Sequence, residues 1–376
     1  MEWVFTIFTI AYASLLTAFM IAWSKGQLSA ISPDEVPEKP LVSVIIAVRN
    51  ESHNILNLLH YIKAQTYTDL EVVIVDDHST DNTVERVQNY QSTDSLALRL
   101  LQLADQPDTQ LANKKGALNL GIRQATGKYI ITTDADCCPG PGWVKNMVRF
   151  MQQHGSMMVC GPVTFDPSIS FFEKLQTIEF ASLIGSGAAS LRLGFPNMAN
   201  GANLAFTKQA FEQVGGYEGF EHLPSGDDEF LLHKVYKAYP DRVHFIQERS
   251  AVVPTVPQAS MSAFIQQRKR WASKWKQHKD RRVGLLAVFI ACYHLVLLLS
   301  VGLVVTGSFS IRWLAILLLV RLLVETLFLS QVLKFLGKRL WLVAFLCWQL
   351  LYPFYLVFFG VAANFGSYQW KSRTFR

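Results

Sequence analysis

The stretch "YIITTDADCCPGPGW", Tyr129–Trp143, decides the fold. A short apolar run stops at Asp134 and Asp136, then passes through two cysteines into a Pro/Gly turn. That is the form of a buried strand whose end carries carboxylates. One such acidic pair, taken alone, reads better as a solvated turn or a helix cap. Its weight comes from the surrounding sequence.

Upstream, "LVSVIIAV" (Leu41–Val48) is a continuous β-branched run, which predicts a strand buried on both faces. "RNESHNILNLLHYIKAQ" follows, with Ile55, Leu58, Leu59 and Ile62 at helical spacing. "LEVVIVDDHSTDNT" repeats the pattern: a buried strand, then Asp76 and Asp77, then a Ser/Thr/Asp cluster suited to cap a helix. "LALRLLQL" predicts a further strand, and "NKKGALNLGIRQATG" a helix closed by Gly127. Strands alternating with amphipathic helices predict an α/β fold with a mostly parallel sheet. Ligands of such sheets gather beyond the carboxyl ends of the strands. Arg49–Glu51, Asp76–Asp77 and Asp134–Asp136 stand at three such ends, and their convergence points to one crevice for a nucleoside diphosphate.

No GxGxxG follows the first strand and no GxxxxGK[ST] occurs, so Rossmann dinucleotide binding and a P-loop are disfavoured. Phosphate charge must then be met by basic side chains and a divalent cation. Carboxylate oxygens at Asp134 and Asp136 suit Mg²⁺ or Mn²⁺.

The chain has 376 residues, half of them hydrophobic, and those residues are unevenly spread. Val4–Trp23, Val283–Thr306, Ile311–Leu336 and Leu340–Asn364 are each about long enough to span a bilayer as a helix. The expected organisation is an N-terminal transmembrane helix (1–24), a Pro-containing linker (25–40) and a globular catalytic domain with interfacial helices at its end (41–282). A C-terminal membrane domain of about three hydrophobic segments (283–366) and a basic tail (367–376) complete it. The first segment has Glu2 and no Lys or Arg before it, which favours a retained anchor over a cleaved signal peptide. Pro353 predicts a kinked or re-entrant last segment, and Arg321 and Glu325, one turn apart, predict an ion pair or a polar cavity.

The net charge is +6. Much of it belongs to a collar of Lys and Arg between Arg268 and Arg282, with Lys25 at the other junction. Both flanks mark the globular domain as cytoplasmic, on the inner face of a bacterial-type plasma membrane. The collar accounts for the basic charge through the membrane, and no nucleic-acid partner is expected. Five cysteines without paired spacing exclude a disulfide framework and a zinc site, and fit a reducing compartment.

These motifs, in this order, resemble the membrane-bound family 2 glycosyltransferases of GT-A fold over about residues 40–285. "IIAVRNES" is similar to the family's opening Pro-aromatic-Asn-Glu segment, with Ala47 in place of the proline and Arg49 in place of the aromatic residue. The resemblance implies nucleotide-sugar contacts at Ala47, Arg49, Glu51, Asp76, Asp77, Lys114, Asp134 and Ala135. Asn113 stands where the family has glycine, and Lys115 is a second candidate beside Lys114. Asp134 and Asp136 resemble the family's metal-binding Asp-x-Asp. "NGANLAF" looks like the acceptor-side turn, assigning Gly201 and Asn203 to the acceptor or diphosphate. "SGDDEF" occupies the place of the family's acidic motif, with Asp228 as general base and Asp227 beside it. "QQRKRW" carries Gln267, Arg270 and Trp271 of the Gln-x-x-Arg-Trp pattern found in cellulose, chitin and hyaluronan synthases. A basic amphipathic surface helix would read the same way.

The resemblance therefore implies an inverting, metal-dependent enzyme. It would move a sugar from a UDP- or GDP-sugar to a lipid-linked or polysaccharide acceptor at the membrane. A processive polysaccharide synthase is the alternative within the family. A nucleotidyltransferase shares the sheet and the metal aspartates but leaves the Gln-x-x-Arg-Trp segment without a role. A non-catalytic membrane nucleotide sensor or transporter leaves Asp228 without one.

Overall fold

The computed structural model describes residues 2–27, 39–105, 113–221, 223, 225–274, 280–362, 368–371 and 373–375. Most of the expected linker lies outside these, as does His222, a residue next to the acidic motif. In chain order come helix α1 (Glu2–Gln27), strand β1 (Val42–Val48), α2 (Ile55–Lys63), β2 (Leu70–Asp76), α3 (Thr83–Thr93) and β3 (Leu98–Gln102). Then follow α4 (Lys114–Gln124), β4 (Tyr129–Thr132), α5 (Trp143–His154), β5 (Met158–Cys160), β6 (Val163–Phe165) and α6 (Phe171–Arg192). Next are β7 (Leu204–Thr207), α7 (Lys208–Gln213), α8 (Asp227–Ala238), β8 (Val243–Phe245), β9 (Val253–Thr255) and α9 (Met261–Ala272). The chain ends with α10 (Arg281–Val305), α11 (Ile311–Phe335), α12 (Leu342–Ala362), β10 (Tyr368–Trp370) and β11 (Arg373–Phe375).

The chain divides into two compact units. One comprises residues 26–166 and 196–256 and is built on a seven-stranded sheet, ordered β3-β2-β1-β4-β7-β5-β8. The sheet is mostly parallel, as the alternation predicts: β1 pairs parallel with β2 and β4, and β2 with β3. Strand β7 breaks the rule and runs antiparallel to β4 and β5. β1 and β2 are buried along nearly their whole length, so their Val and Ile residues leave little apolar surface in water. Helix α4 ends at Gln124, three residues before the expected stop. Gly127 serves packing instead, since a Cβ there would lie 2.6 Å from the Ser43 nitrogen.

The other unit comprises residues 1–25, 167–195 and 257–376. Segments 167–195 and 257–282, which the sequence places in the globular domain, cluster here with the long helices. Helix α6 starts at a capping box in which Ser170 and Glu173 satisfy each other's backbone N–H groups. Among the described residues, four helices are long and apolar enough to cross a membrane: α1, α10, α11 and α12. Helix α12 runs through Pro353 without interruption. Arg321 and Glu325 do pair, Nε to Oε1 at 2.9 Å, and the Tyr12 hydroxyl donates to the same carboxylate at 2.8 Å. Gln349 of α12 also donates to the Glu325 carboxylate, so α1, α11 and α12 share one polar contact.

Candidate active site

Two groups of predicted residues assemble at the carboxyl ends of the strands. The first joins the loops after β1 and β2. Arg49 donates to the Asp77 carbonyl at 2.6 Å, Asn50 N–H to Ser79 Oγ at 2.9 Å, and Glu51 N–H to Thr83 Oγ1 at 2.8 Å. The Thr80 N–H returns a bond to Asn50 Oδ1 at 2.8 Å. Asn50 and His78, one in each loop, both take positive φ, 52° and 59°. Such backbone is uncommon outside glycine and here is held by the reciprocal bonds. The Glu51 carboxylate accepts from Asn54 Nδ2 at 2.8 Å. Asp76 is buried; its Oδ2 accepts the Ser79 N–H at 3.0 Å, while its buried Oδ1 has no hydrogen-bond partner among the described residues. A buried carboxylate oxygen left so is costly and suits a ligand N–H.

The second group centres on Lys114, in the first turn of α4. Its ammonium donates to Asp134 Oδ1 at 2.7 Å and lies 3.4 Å from Asp227 Oδ2. Burial alone would lower its pKa, but the carboxylates of Asp134 and then Asp227 outweigh that and raise it above the ordinary lysine value. Asp228 Oδ2 accepts the Gly201 N–H at 3.1 Å, and Oδ1 accepts the Glu229 N–H at 2.7 Å. The opposite orientation of β7 makes this possible. Its first residues meet the carboxyl end of β4, where Thr132 Oγ1 donates to the Gly201 carbonyl at 2.7 Å. At Gly201 a Cβ would come within 3.1 Å of Asp227 Oδ2 and 3.5 Å of Lys114 Nζ. The missing side chain lets acceptor-side backbone approach this charge cluster.

Asp134 and Asp136 flank the buried Ala135 on one turn and are both half-buried. Among the described residues no set of three His, Cys, Asp or Glu side chains forms a metal cage. Two carboxylates with the remaining positions open fit Mg²⁺ or Mn²⁺, whose shells are commonly completed by substrate phosphates and water. Ala47 lies in β1 two residues beyond Ile45, which pairs with Thr132, so its methyl falls level with the start of the Asp134 turn.

Not every predicted residue faces the crevice. Asn203 is fully buried: its oxygen accepts the Trp143 indole N–H at 2.9 Å, and its amide donates to the Pro162 and Ala251 carbonyls, both at 2.8 Å. It ties three segments together. Lys115 also turns away, donating to the carbonyls of Leu223 and Ser225 at 2.6 and 2.7 Å. Gln267, Arg270 and Trp271 lie on α9, in the unit that holds the long helices.

There Arg268, which no motif singles out, is buried and forms an ion pair with Glu179 of α6. Its guanidinium lies 4.3 Å from the ring centroids of both Phe264 and Trp271, and it also bonds Gln267. The Tyr355 hydroxyl completes the group with a 2.6 Å bond to Glu179. The only hint in the sequence is that Glu179 interrupts the apolar run "TIEFASLIG". Thr132, the hydroxyl that holds Gly201, carries no signal at all.

Residues 43–215 match the family model Glycosyl transferase family 2. A poly-beta-1,6-N-acetyl-D-glucosamine synthase of Staphylococcus aureus (strain COL) is 32% identical over 203 residues, 53% of this chain and 46% of that protein. The Staphylococcus epidermidis protein of the same name is 30% identical over 182 residues, 47% of this chain and 42% of its own. The chain thus spans less than half the length of these curated relatives. A solved mannosyltransferase from Pyrobaculum calidifontis, in complex with GDP-Man and Mn²⁺, superposes with a TM-score of 0.64 at 20% identity, covering 96% of this chain and 99% of that one. At that identity the likeness is one of fold. Over residues 43–215 the chain is a glycosyl transferase family 2 domain, on a GT-A-like sheet and in a protein with membrane-length helices.

Proposed function

We propose that the protein is an inverting glycosyltransferase. It moves a sugar from a nucleoside-diphosphate sugar to a growing glycan or lipid-linked acceptor at the cytoplasmic face of a membrane. The observation that carries this is the cluster of Asp134, Asp227, Lys114 and Asp228 about the Gly201 backbone, where donor-side and acceptor-side residues meet.

Asp76 Oδ1, buried and unsatisfied, accepts an imino N–H of the base, a donor that uracil and guanine both have. Arg49, Glu51 and Asp77 fix the loops that enclose the nucleoside. Asp134 and Asp136 would hold the divalent cation, which when bound stabilises the charge of the leaving diphosphate. Lys114 supplies fixed positive charge at the same point, with no reorganisation as the bond breaks. Asp228 takes the proton of the acceptor hydroxyl as it attacks the anomeric carbon. No second carboxylate is needed as a covalent nucleophile, so a single displacement with inversion follows. Gln267, Arg270 and Trp271 lie on α9 in the other unit, and the family resemblance alone assigns them to the diphosphate and acceptor. Lys25 and the basic residues from Lys269 to Arg282 support the cytoplasmic orientation, whereas Arg268 is buried against Glu179.

The relatives' names favour UDP-N-acetylglucosamine as the first donor to test and a polysaccharide as product. The archaeal neighbour's GDP-Man makes single mannosyl transfer the second reading. Membranes containing the full-length protein should release UDP from UDP-N-acetylglucosamine and build polymer. GDP release from GDP-mannose with a single-sugar product would select the second reading. Release of neither nucleotide from any sugar nucleotide would overturn the transferase reading.

A further inference from the structure

Helix α4 opens with two lysines that do different work. Lys114 turns toward Asp134 and Asp227. Lys115 is 2% exposed and gives its ammonium to the carbonyls of Leu223 and Ser225. Asn113, the cap residue just before them, accepts the Gly116 N–H at 3.0 Å through Oδ1 and donates through Nδ2 to the Glu221 carbonyl at 3.0 Å. Three carbonyls of the 221–225 segment are thus tied to the first turn of one helix.

That segment feeds directly into Asp227 and Asp228. Between them stands Gly226, with φ +85°, a pivot that an L side chain rarely adopts. The Phe230 ring, in the first turn of α8, faces the Lys115 ammonium at 5.6 Å and stacks on Phe220 at 4.5 Å. A buried ammonium is tolerated only where acceptors replace its water. Without it the carbonyls of Leu223 and Ser225 lose their partner, and the segment before the pivot loses its anchor.

We infer that Lys115 is a positioning residue: by fixing the carbonyls of Leu223 and Ser225 it sets the aim of the Asp228 carboxylate without touching substrate. The inference rests on the reading of Asp228 as the base. A misplacement of about 1 Å at a catalytic group costs on the order of 10² in rate. Lys115 should therefore act on kcat and not on donor KM.

The test uses full-length protein in membranes with UDP-N-acetylglucosamine, following UDP release. Lys115→Met should lower kcat about 10- to 100-fold with donor KM within about twofold. Lys115→Arg keeps a donor for the carbonyls and should recover most of the loss. Asn113→Asp keeps the cap oxygen but cannot donate to Glu221, and should lower kcat by about twofold to fivefold, again without moving donor KM. In an Asp228→Asn background Lys115→Met should add nothing, because the two act in series. Normal turnover of Lys115→Met overturns the inference, and so does a rise in donor KM matching that of Lys114→Met. An undiminished loss in the Asp228→Asn background overturns it too. If Asp228→Asn alone turns over normally, the base reading fails, a result separate from any measured on Lys115. If Lys115→Met does not accumulate folded, the kcat and donor KM of Asn113→Asp decide alone.

Discussion

Two charge clusters among the described residues contrast sharply. In the sheet-built unit, Lys114 joins Asp134 and Asp227, with the Asp134 side chain 38% exposed. In the helical unit, Arg268 and Glu179 are almost completely enclosed, at 1% and 3%, and Tyr355 adds a further bond. On the proposed function, the first arrangement would exchange its partners for an incoming diphosphate or cation. The second is closed by its own side chains. The charges proposed to do chemistry are exposed enough to be replaced, whereas those that set the packing are not.

The sharpest way to break this contrast is to strip the cation. If Asp134 and Asp136 hold it, a chelator should reduce turnover by about 10³-fold or more, restored by Mg²⁺ or Mn²⁺. Asp136→Asn should show the same loss while melting like the parent protein. Full turnover in the presence of chelator would remove the metal from the proposal. The base comes next: Asp228→Asn should lower kcat about 10²- to 10⁴-fold with donor affinity retained. A weakened donor affinity with unchanged kcat would assign Asp228 to binding.

In the helical unit the effect should fall on stability instead. Glu179→Gln leaves Arg268 buried without its counter-charge, at a cost of about 3–5 kcal/mol. Thermal melts in detergent should show it clearly, whereas Asp134→Asn should shift the melt little. Equal shifts in the two variants would erase the distinction drawn here.

The smallest effect concerns Asp81, in the loop after β2. Its slight burial raises its pKa, but bonds from the Thr83 hydroxyl and from Ser52 and Thr83 N–H groups outweigh this and lower it to about 2. A carboxylate with a depressed folded-state pKa stabilises the protein above its unfolded value near 4. That contribution is lost as pH falls toward 2. The group is exposed, so the effect is modest. Asp81→Asn should melt lower than the parent near neutral pH, with the gap closing as pH falls through this window. A gap that is constant with pH would assign the effect to hydrogen bonding alone.

The parallel strands could be read from the sequence because burial on both faces demands unbroken runs such as "VSVIIAV". The acidic strand ends stood out against those runs. Strand β7 could not be read so, since "LAFT" is too short to announce its direction, which depends on pairing with Tyr129–Thr132 far upstream. Helix α6 was also hidden. It is buried on most sides and lacks the single apolar stripe by which surface helices are recognised. The Glu179–Arg268–Tyr355 group joins residues 89 and 176 positions apart, beyond any local pattern. Lys115 was visible only as a second lysine, and its burial follows from a loop more than a hundred residues later.

Strand β7 also acts as a seam in the gene. Residues before Asp136 supply the pocket proposed for the sugar nucleotide, and residues from Gly201 to Asp228 supply the side proposed for its recipient. The two stretches are each contiguous and meet at the margin between β4 and β7, where Gly201 keeps the border thin, and again at the first turn of α4, where Lys114 and Lys115 reach Asp227 and the carbonyls of Leu223 and Ser225. On the proposed reading, a change in the later stretch that keeps these contacts to α4 would alter the acceptor side and leave the donor pocket in place. On that reading, new products would arise by editing one part of the coding sequence.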